Sequence, residues 1–242
     1  MIGRRQDQQG AYDEGLFRRW PIGGDTWLRL GAAYLVLVLS GLALGSLVTG
    51  PLASTALGRF DTDVSIWLET NRTPFWDTVT RFGDSFADTP VVVGALIVFF
   101  VGMAWFWRRW LEPLVLGFGV ALEASVFLTV SLIVGRDRPP MEQLDVSPAT
   151  ASFPSGHTGV AFTFYGLLAM IVFWNTARPV PRVLAAAGAV LIGVSVAVAR
   201  LYRGMHYVSD VVVGAGFGIV CIIAAVIIVN RAIESSQPNG ET

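Results

Sequence analysis

The chain has 242 residues, of which 53% are hydrophobic and 14% charged. An ordinary soluble domain carries about 25% charged residues, so this composition excludes a disordered chain, a disulfide-rich secreted domain and almost any soluble enzyme. The 17 basic and 18 acidic residues nearly cancel, which excludes a global cationic field for nucleic acid. All 17 basic residues are arginine. The single cysteine, Cys221, supports neither a disulfide nor a cysteine-based metal cluster.

The apolar residues are gathered into six blocks. A bilayer core about 30 Å thick requires about 20 apolar helical residues. The blocks that meet this requirement, the shorter ones with help from flanking residues, lie at 30–49, 91–106, 113–134, 158–174, 183–199 and 211–229. The sequence therefore predicts an all-α fold, a bundle of six transmembrane helices.

We predict one membrane domain over residues 30–230, between a polar leader at 1–29 and a short tail at 231–242. The leader lacks the small-residue cleavage site of a signal peptide, so we expect it to be retained. With the N-terminus inside, ten of the 17 arginines fall in cytoplasmic segments, as the positive-inside rule favours. We therefore expect a multi-pass protein of the plasma (inner) membrane with both termini in the cytoplasm.

The long segment between the first and second spans, at 50–90, has the pattern of interfacial amphipathic helices. Phe60 and Trp67 would share one helical face, and Trp76 and Val79 another, as in helices that lie in the headgroup region. The segment also contains carboxylates that we expect to be helix caps or solvated side chains. They are Asp61, Asp63, Asp84 and Asp88.

Both histidines of the chain, His157 and His206, lie at the predicted outer ends of spans. Four arginines accompany them in the second and third outer loops: Arg136, Arg138, Arg200 and Arg203. Attraction to lipid phosphates would explain any one of these arginines equally well. The presence of both histidines in the same set favours a functional site.

Two histidines and several arginines, without a cysteine or a metal cage, suit phosphoryl transfer. The group that moves carries negative charge, which fixed cations and backbone N–H groups stabilise. One imidazole can attack phosphorus while the other protonates the leaving oxygen. His206 and Asp210 are four residues apart and would lie on one helix face, so the carboxylate could accept a ring proton and orient the imidazole. Residues 154–157 directly precede a span, where helix N–H groups bind anions.

At these residues the sequence resembles the type 2 phosphatidic acid phosphatase family. Residues 154–157 match its PSGH motif, and residues 200–210 (RLYRGMHYVSD) match its SRxxxxxHxxxD motif. Arg138 and Pro139 match the end of its KxxxxxxRP motif. The three motifs occur in the family order, and the core of the resemblance runs over about 113–229.

The resemblance implies that His206 is the nucleophile and forms a phosphohistidine, that Asp210 orients it, and that His157 is the general acid. It also implies a phosphate-binding set, which consists of Arg138, Arg200, Ser155 and Gly156. The family needs no metal, and the resemblance implies no cofactor.

Two positions depart from the family motifs. Ser131 stands where the family has lysine, seven residues before Arg138, and Ala199 replaces the serine before Arg200. Because the chain has no lysine, we expect arginine to hold the phosphate without the help of a lysine, with Arg136 as the candidate substitute. The alternative is that Arg136 is a loop arginine paired with nearby carboxylates or headgroups.

The predicted function is hydrolysis of a phosphate or diphosphate ester of a membrane lipid at the extracytoplasmic face. The expected partners are this lipid and the bilayer, with no nucleic acid, and the sequence indicates no oligomeric state. A polyprenyl diphosphate is the first choice of substrate, followed by phosphatidic acid and phosphatidylglycerol phosphate. The alternatives are a lipid phosphotransferase and a non-catalytic lipid-phosphate binding or transport protein, which the missing lysine favours.

Overall fold

The computed structural model describes residues 24–106, 111–146 and 150–236, and in these ranges it contains helices and loops but no strands. The eight helices are α1 (Gly24–Thr49), α2 (Ala56–Thr70), α3 (Pro74–Ser85), α4 (Thr89–Phe106), α5 (Leu111–Val134), α6 (Gly156–Asn175), α7 (Pro179–Tyr202) and α8 (Val208–Ser236). The predicted all-α fold is confirmed. Most of the predicted leader, and half of the predicted tail, lie outside the described residues.

Within the described ranges, six stretches are long and apolar enough to cross a bilayer. They are Asp25–Thr49, Pro74–Met103, Glu112–Val134, Gly156–Asn175, Pro179–Tyr202 and Val208–Asn230. Each overlaps one of the six predicted blocks, so the protein is a multi-span membrane protein. Hydrocarbon offers no hydrogen-bond partner for backbone N–H and C=O groups. A spanning segment must therefore pair these groups within itself, as a helix does.

The two short helices α2 and α3 lie between the long helices α1 and α4, as predicted, and α3 forms the first part of the second spanning stretch. The Thr55 and Thr73 side chains cap their N-termini, each accepting a backbone N–H at 3.3 Å. Phe60, Trp67 and Trp76 are half or more exposed on these helices. This arrangement agrees with helices that rest in the headgroup region.

The four carboxylates of α2, α3 and the following turn are not all solvated. Asp63 is exposed, and the Asp88 side chain is 49% exposed. Asp61 and Asp84, however, are 1% and 7% exposed. The expectation was wrong for these two because Asp61 faces Arg136 in the loop after α5 and Asp84 faces Arg200 at the end of α7, rather than water.

Helix α8 approaches the start of α6 very closely. A Cβ atom at Gly214 would lie 2.4 Å from the Ser155 carbonyl oxygen, and one at Gly218 would lie 2.6 Å from the Gly159 carbonyl oxygen. Glycine at 214 and 218 therefore allows the two backbones to meet, which is a common device for packing membrane helices. This contact brings the residues before α6 against the first turns of α8.

Gly214→Ala should destabilise the protein by about 1–3 kcal/mol, because the new methyl group must push the Ser155 carbonyl away. Gly216→Ala is the matched control, since a Cβ there has nothing within 4 Å. Thermal unfolding of the detergent-solubilised variants compares the two. Equal melting temperatures would contradict the close contact.

Candidate active site

The segments predicted to be outer loops meet at one end of the bundle. Arg72, just after α2, donates from Nε to the Tyr202 carbonyl at 3.3 Å and from Nη2 to the Glu142 carbonyl at 2.7 Å. Arg203 forms a two-point ion pair with Asp145, with N–O distances of 2.6 and 2.5 Å. These contacts fix the loop after α5 against the end of α7.

His206 lies in the turn between α7 and α8 and is 4% exposed. Its Nδ1 is 2.6 Å from the carbonyl oxygen of Ser152. Because a carbonyl can only accept, Nδ1 carries the proton and Nε2 carries the lone pair. Burial and the charges of Arg200 and Arg138 lower the pKa of His206 well below its usual range. The ring is therefore neutral at neutral pH.

Asp210 reaches His206 through another residue rather than by the direct hydrogen bond expected from the spacing. The Asp210 carboxylate is 3.9 Å from His206 Nδ1, because the Ser152 carbonyl occupies the position beside the ring. The carboxylate, which is fully buried, accepts from Ser152 Oγ at 2.5 Å, from Tyr207 N at 2.9 Å and from the Arg136 guanidinium. Asp210 therefore acts on His206 through Ser152, whose hydroxyl bonds Asp210 and whose carbonyl bonds the His206 ring.

Arg136 is engaged by carboxylates on both terminal nitrogens. Nη1 bonds Asp210 and, at 2.8 Å, Ser209 Oγ, while Nη2 bonds Asp61 at 3.0 Å. The guanidinium also lies 4.1 Å from the centre of the Tyr207 ring. The expectation that Arg136 replaces the family lysine as a phosphate ligand does not fit this geometry. The alternative of an ion-paired loop arginine fits better, although its partners are not the carboxylates next to it in sequence.

Arg138 bonds only neutral acceptors among the described residues. Its Nη1 donates to the Met205 carbonyl at 2.6 Å and its Nη2 to the Thr150 carbonyl at 3.1 Å. Burial and, to a lesser extent, repulsion by the neighbouring Arg200 charge lower the pKa of Arg138. An anion bound here would relieve that repulsion.

Arg200, at the end of α7, is 3% exposed and keeps one donor free. Its Nη1 bonds Asp84 at 2.7 Å. Its Nε is buried without a hydrogen-bond partner in the described part of the chain. A buried N–H group without an acceptor is unfavourable by about 1–3 kcal/mol, and a phosphate oxygen would satisfy it.

A cavity of about 540 Å³ opens at this end of the bundle. Arg200, His157 and three carboxylates line it; the carboxylates are Asp84, Asp88 and Asp145. His157 Nε2 lies 3.7 Å from an Asp88 oxygen. His206 is not among the lining residues. The predicted general acid and one predicted phosphate ligand thus share an open cavity, while the predicted nucleophile is buried.

Ser155 and Gly156 form the start of α6 and are both buried. The Ser155 N–H donates to the Asp210 carbonyl oxygen at 3.0 Å, and its hydroxyl shares a hydrogen bond with Thr158 Oγ1 at 2.9 Å. A Cβ at Gly156 would lie 2.8 Å from the Phe127 ring. Both residues contribute to packing. They also begin α6, and the first-turn N–H groups of a helix are a general feature that can bind anions.

One group of side chains in the described ranges has the spacing of metal ligands. Oxygen and nitrogen atoms of Asp84, Asp88 and His157 lie within 4.8 Å of one another. One Asp84 oxygen already bonds Arg200, so part of the negative charge of this group is neutralised. The metal-free mechanism implied by the motifs stays a prediction.

The structure adds residues that the motifs did not indicate: Asp61, Asp84, Asp145 and Ser152. Three of them are the counter-charges of buried or partly buried arginines. The sequence did contain a signal for these carboxylates. Arginine is rarely buried without a paired carboxylate, and the polar faces of the two predicted amphipathic helices could supply such partners. Ser152 acts through its carbonyl group, for which side-chain patterns give no signal.

Arg136→Ala should destabilise the protein by about 3–5 kcal/mol, because Asp61 and Asp210 would remain buried without their cation. Arg59→Ala is the matched control and should change stability by less than about 0.5 kcal/mol. Arg59 is exposed, and its one hydrogen bond described here reaches the Ser54 carbonyl at 3.3 Å. Equal small shifts in the unfolding of both variants would contradict the ion-pair network.

The chain resembles known proteins in sequence and in fold. Over 129 residues it is 31% identical to decaprenylphosphoryl-5-phosphoribose phosphatase of Mycobacterium tuberculosis, strains CDC 1551 / Oshkosh and ATCC 25618 / H37Rv. That match covers 52% of this chain and 66% of the relative, just under two thirds of its length.

Two solved structures share the fold. A transmembrane PAP2-type phosphatidylglycerolphosphate phosphatase from Bacillus subtilis superposes with a TM-score of 0.67 at 20% identity, covering 86% of this chain and 98% of the other. Aquifex aeolicus LpxE has a TM-score of 0.53 at 25% identity, covering 68% and 93%. The family model of the PAP2 superfamily matches residues 112–234. This match covers half of the chain and all three motifs, and the chain belongs to the PAP2 superfamily.

Proposed function

We propose that this protein is a membrane lipid phosphatase that hydrolyses a phosphate ester through a phosphohistidine on His206. The observation that carries the proposal is the state of the His206 ring. Its Nδ1–H is held by the Ser152 carbonyl, so its neutral Nε2 has a lone pair. Burial lowers the pKa of this ring, and so do two nearby arginines: Arg200, whose Nε has no hydrogen-bond partner among the described residues, and Arg138, which bonds only carbonyl groups there.

In the first step, His206 Nε2 attacks phosphorus and the bond from phosphorus to the leaving oxygen breaks. His157 gives its proton to that oxygen, and Arg138 and Arg200 stabilise the charge on the phosphoryl oxygens. The His206 ring becomes positively charged as the P–N bond forms. The Ser152 carbonyl and, beyond it, the Asp210 carboxylate stabilise this charge.

In the second step, water attacks the phosphorus atom of the phosphohistidine. His157, which is now neutral, accepts a proton from the water, and the P–N bond breaks to release inorganic phosphate. This step returns His206 to its neutral state. A second lipid alcohol in place of water would make the protein a phosphotransferase.

The substrate that we propose is a polyprenyl-linked phosphate or diphosphate. The name of the M. tuberculosis relative indicates a phosphorylated decaprenyl lipid, and the exposed aromatic faces of α2 and α3 suit a site at the lipid surface. A lipid-linked sugar phosphate is the second candidate. It is favoured by Asp88 and Asp145 in the cavity lining, because carboxylates accept hydrogen bonds from sugar hydroxyls.

We also propose that the site faces the extracytoplasmic side of the plasma membrane, with both termini in the cytoplasm. The arginine distribution supports this orientation. Three of the seven arginines assigned to the outer side form ion pairs with buried or partly buried carboxylates. They therefore have a local reason for their position and do not weigh against the positive-inside rule.

A non-catalytic lipid-phosphate binder is the alternative that the missing lysine favours. Ser131, at the lysine position, is fully buried and bonds the Ala151 carbonyl at 3.4 Å, so this position supplies no cation. A binder needs only positive charge, however. A buried histidine held in a single tautomer, backed by Ser152 and Asp210, serves nucleophilic attack and supports the enzyme.

His206→Ala should reduce phosphate release to background, because no other group supplies the nucleophile. The assay screens the purified protein against a polyprenyl diphosphate, a polyprenyl-linked sugar phosphate, phosphatidic acid and phosphatidylglycerol phosphate. Arg59→Ala serves as the control and should match the wild-type rate. Release at the wild-type rate by His206→Ala would remove the nucleophile, and no release from any lipid by the wild-type protein would favour the binder.

The acid limb of the kcat/KM profile should lie below pH 6.5, the usual pKa of histidine. The pKa of His206 is lowered by burial and by Arg200 and Arg138, so protonation of the nucleophile requires a lower pH than usual. Arg138→Ala removes one of these charges and should move the limb to higher pH, whereas Arg59→Ala should leave it in place. A limb above pH 6.5 in the wild-type protein would contradict a neutral buried His206.

A further inference from the structure

Asp61 is a buried carboxylate that belongs to none of the sequence motifs. It lies on α2 and is 1% exposed. One of its oxygens accepts the Ser209 N–H at 3.0 Å, and the other accepts from Arg136 Nη2 at 3.0 Å and from the Ser209 hydroxyl. Three donors converge on this one side chain.

All three donors come from residues that contact Asp210 or precede it. Ser209 is the residue before Asp210 in the first turn of α8. Arg136 Nη1 bonds both the Ser209 hydroxyl and the Asp210 carboxylate. Asp61 therefore holds both the Arg136 guanidinium and the Ser209 backbone N–H of α8. Asp210 bonds the first of these residues and directly follows the second, so both contacts help to fix its position.

The rigid shape of the Arg136 guanidinium links the position of Asp61 to that of Asp210. Its N–H groups lie in a rigid planar fork, so gripping one terminal nitrogen determines where the other points. Asp61 grips Nη2, and Nη1 then meets Asp210. Asp210 accepts from the Ser152 hydroxyl, and the Ser152 carbonyl accepts from His206 Nδ1.

We propose that Asp61 is a positioning residue for catalysis. It holds Arg136 and Ser209 so that Asp210, through Ser152, keeps the His206 ring in the Nδ1–H tautomer with Nε2 available for attack. This role rests on the proposed function of His206 as the nucleophile. It also gives α2 a part in catalysis, although the same helix exposes Phe60 and Trp67 at its surface.

The kinetic test compares Asp61→Asn with Asp63→Asn, a matched change at an exposed position of the same helix. Asp61→Asn should lower kcat about 10- to 100-fold, by analogy with the loss seen when the hydrogen-bond partners that orient a metal-bound histidine are removed. KM should change little, because Asp61 does not touch the substrate. Asp61→Glu should recover part of kcat, and Asp63→Asn should retain all of it. An unchanged kcat in Asp61→Asn would overturn the proposal.

A double variant tests the route. If Asp61 acts through Asp210, Asp61→Asn combined with Asp210→Asn should be no slower than Asp210→Asn alone, since groups that act as a unit are not additive. If the kcat losses of the two single variants multiplied in the double variant, the proposed route through Asp210 would be overturned. Ser209→Ala keeps both charges and removes one donor to Asp61, so it should lower kcat in the same direction, and an unchanged kcat would count against the proposal even if Asp61→Asn does not fold.

A measurement without substrate separates this proposal from the proposed function. The chain has two histidines, so His157→Gln leaves His206 as the single imidazole for ¹⁵N NMR of the full-length protein in lipid nanodiscs. The ring should show the Nδ1–H tautomer, and adding Asp61→Asn or Ser209→Ala should produce a mixture of tautomers. An unchanged ring signal would overturn the positioning role, whereas absence of phosphate release by the wild-type protein would contradict only the proposed function.

Discussion

The site end of the bundle depends on the need of each buried guanidinium for a counter-charge. A buried cation without a partner is strongly unfavourable, and removing one member of such a pair destabilises a protein by about 3–5 kcal/mol. Three arginines meet this need with carboxylates from other segments: Arg136 with Asp61 and Asp210, Arg200 with Asp84, and Arg203 with Asp145. These pairs join α2, α3 and the loop after α5 to the ends of α7 and α8.

The same ion pairs between arginines and carboxylates determine which arginine side chains remain available to a phosphate. Arg136 and Arg203 are used by carboxylates, so they build the site rather than bind an anion. Arg138 bonds only carbonyl groups in the described part of the chain, and Arg200 retains an unpartnered Nε. Together with burial, which has the larger effect, these two charges also lower the pKa of His206. The proposed mechanism therefore uses one arrangement of cations both to bind the phosphate and to keep the imidazole neutral.

The spans and the motif residues could be predicted from the sequence because both are local properties: apolar blocks of sufficient length, and short patterns around two histidines. The role of Arg136 could not, because its partner Asp61 lies 75 residues away and appeared to belong to a solvated helix face. The spacing of His206 and Asp210 correctly predicted that they lie near each other, but His206 lies in the turn before α8 rather than on the same helix face. The spacing could not show that the Ser152 carbonyl lies beside the ring, since backbone acceptors leave no trace in side-chain patterns.

The claim on which everything else depends is that His206 carries the phosphoryl group between the two steps. The most direct measurement is to mix the protein with a ³²P-labelled lipid substrate, quench at alkaline pH, at which phosphohistidine survives, and locate the label by mass spectrometry of the digested chain. We predict a phosphoryl group on His206, absent in His206→Ala. Label on another residue, or phosphate release without any labelled protein at the earliest times, would contradict the mechanism.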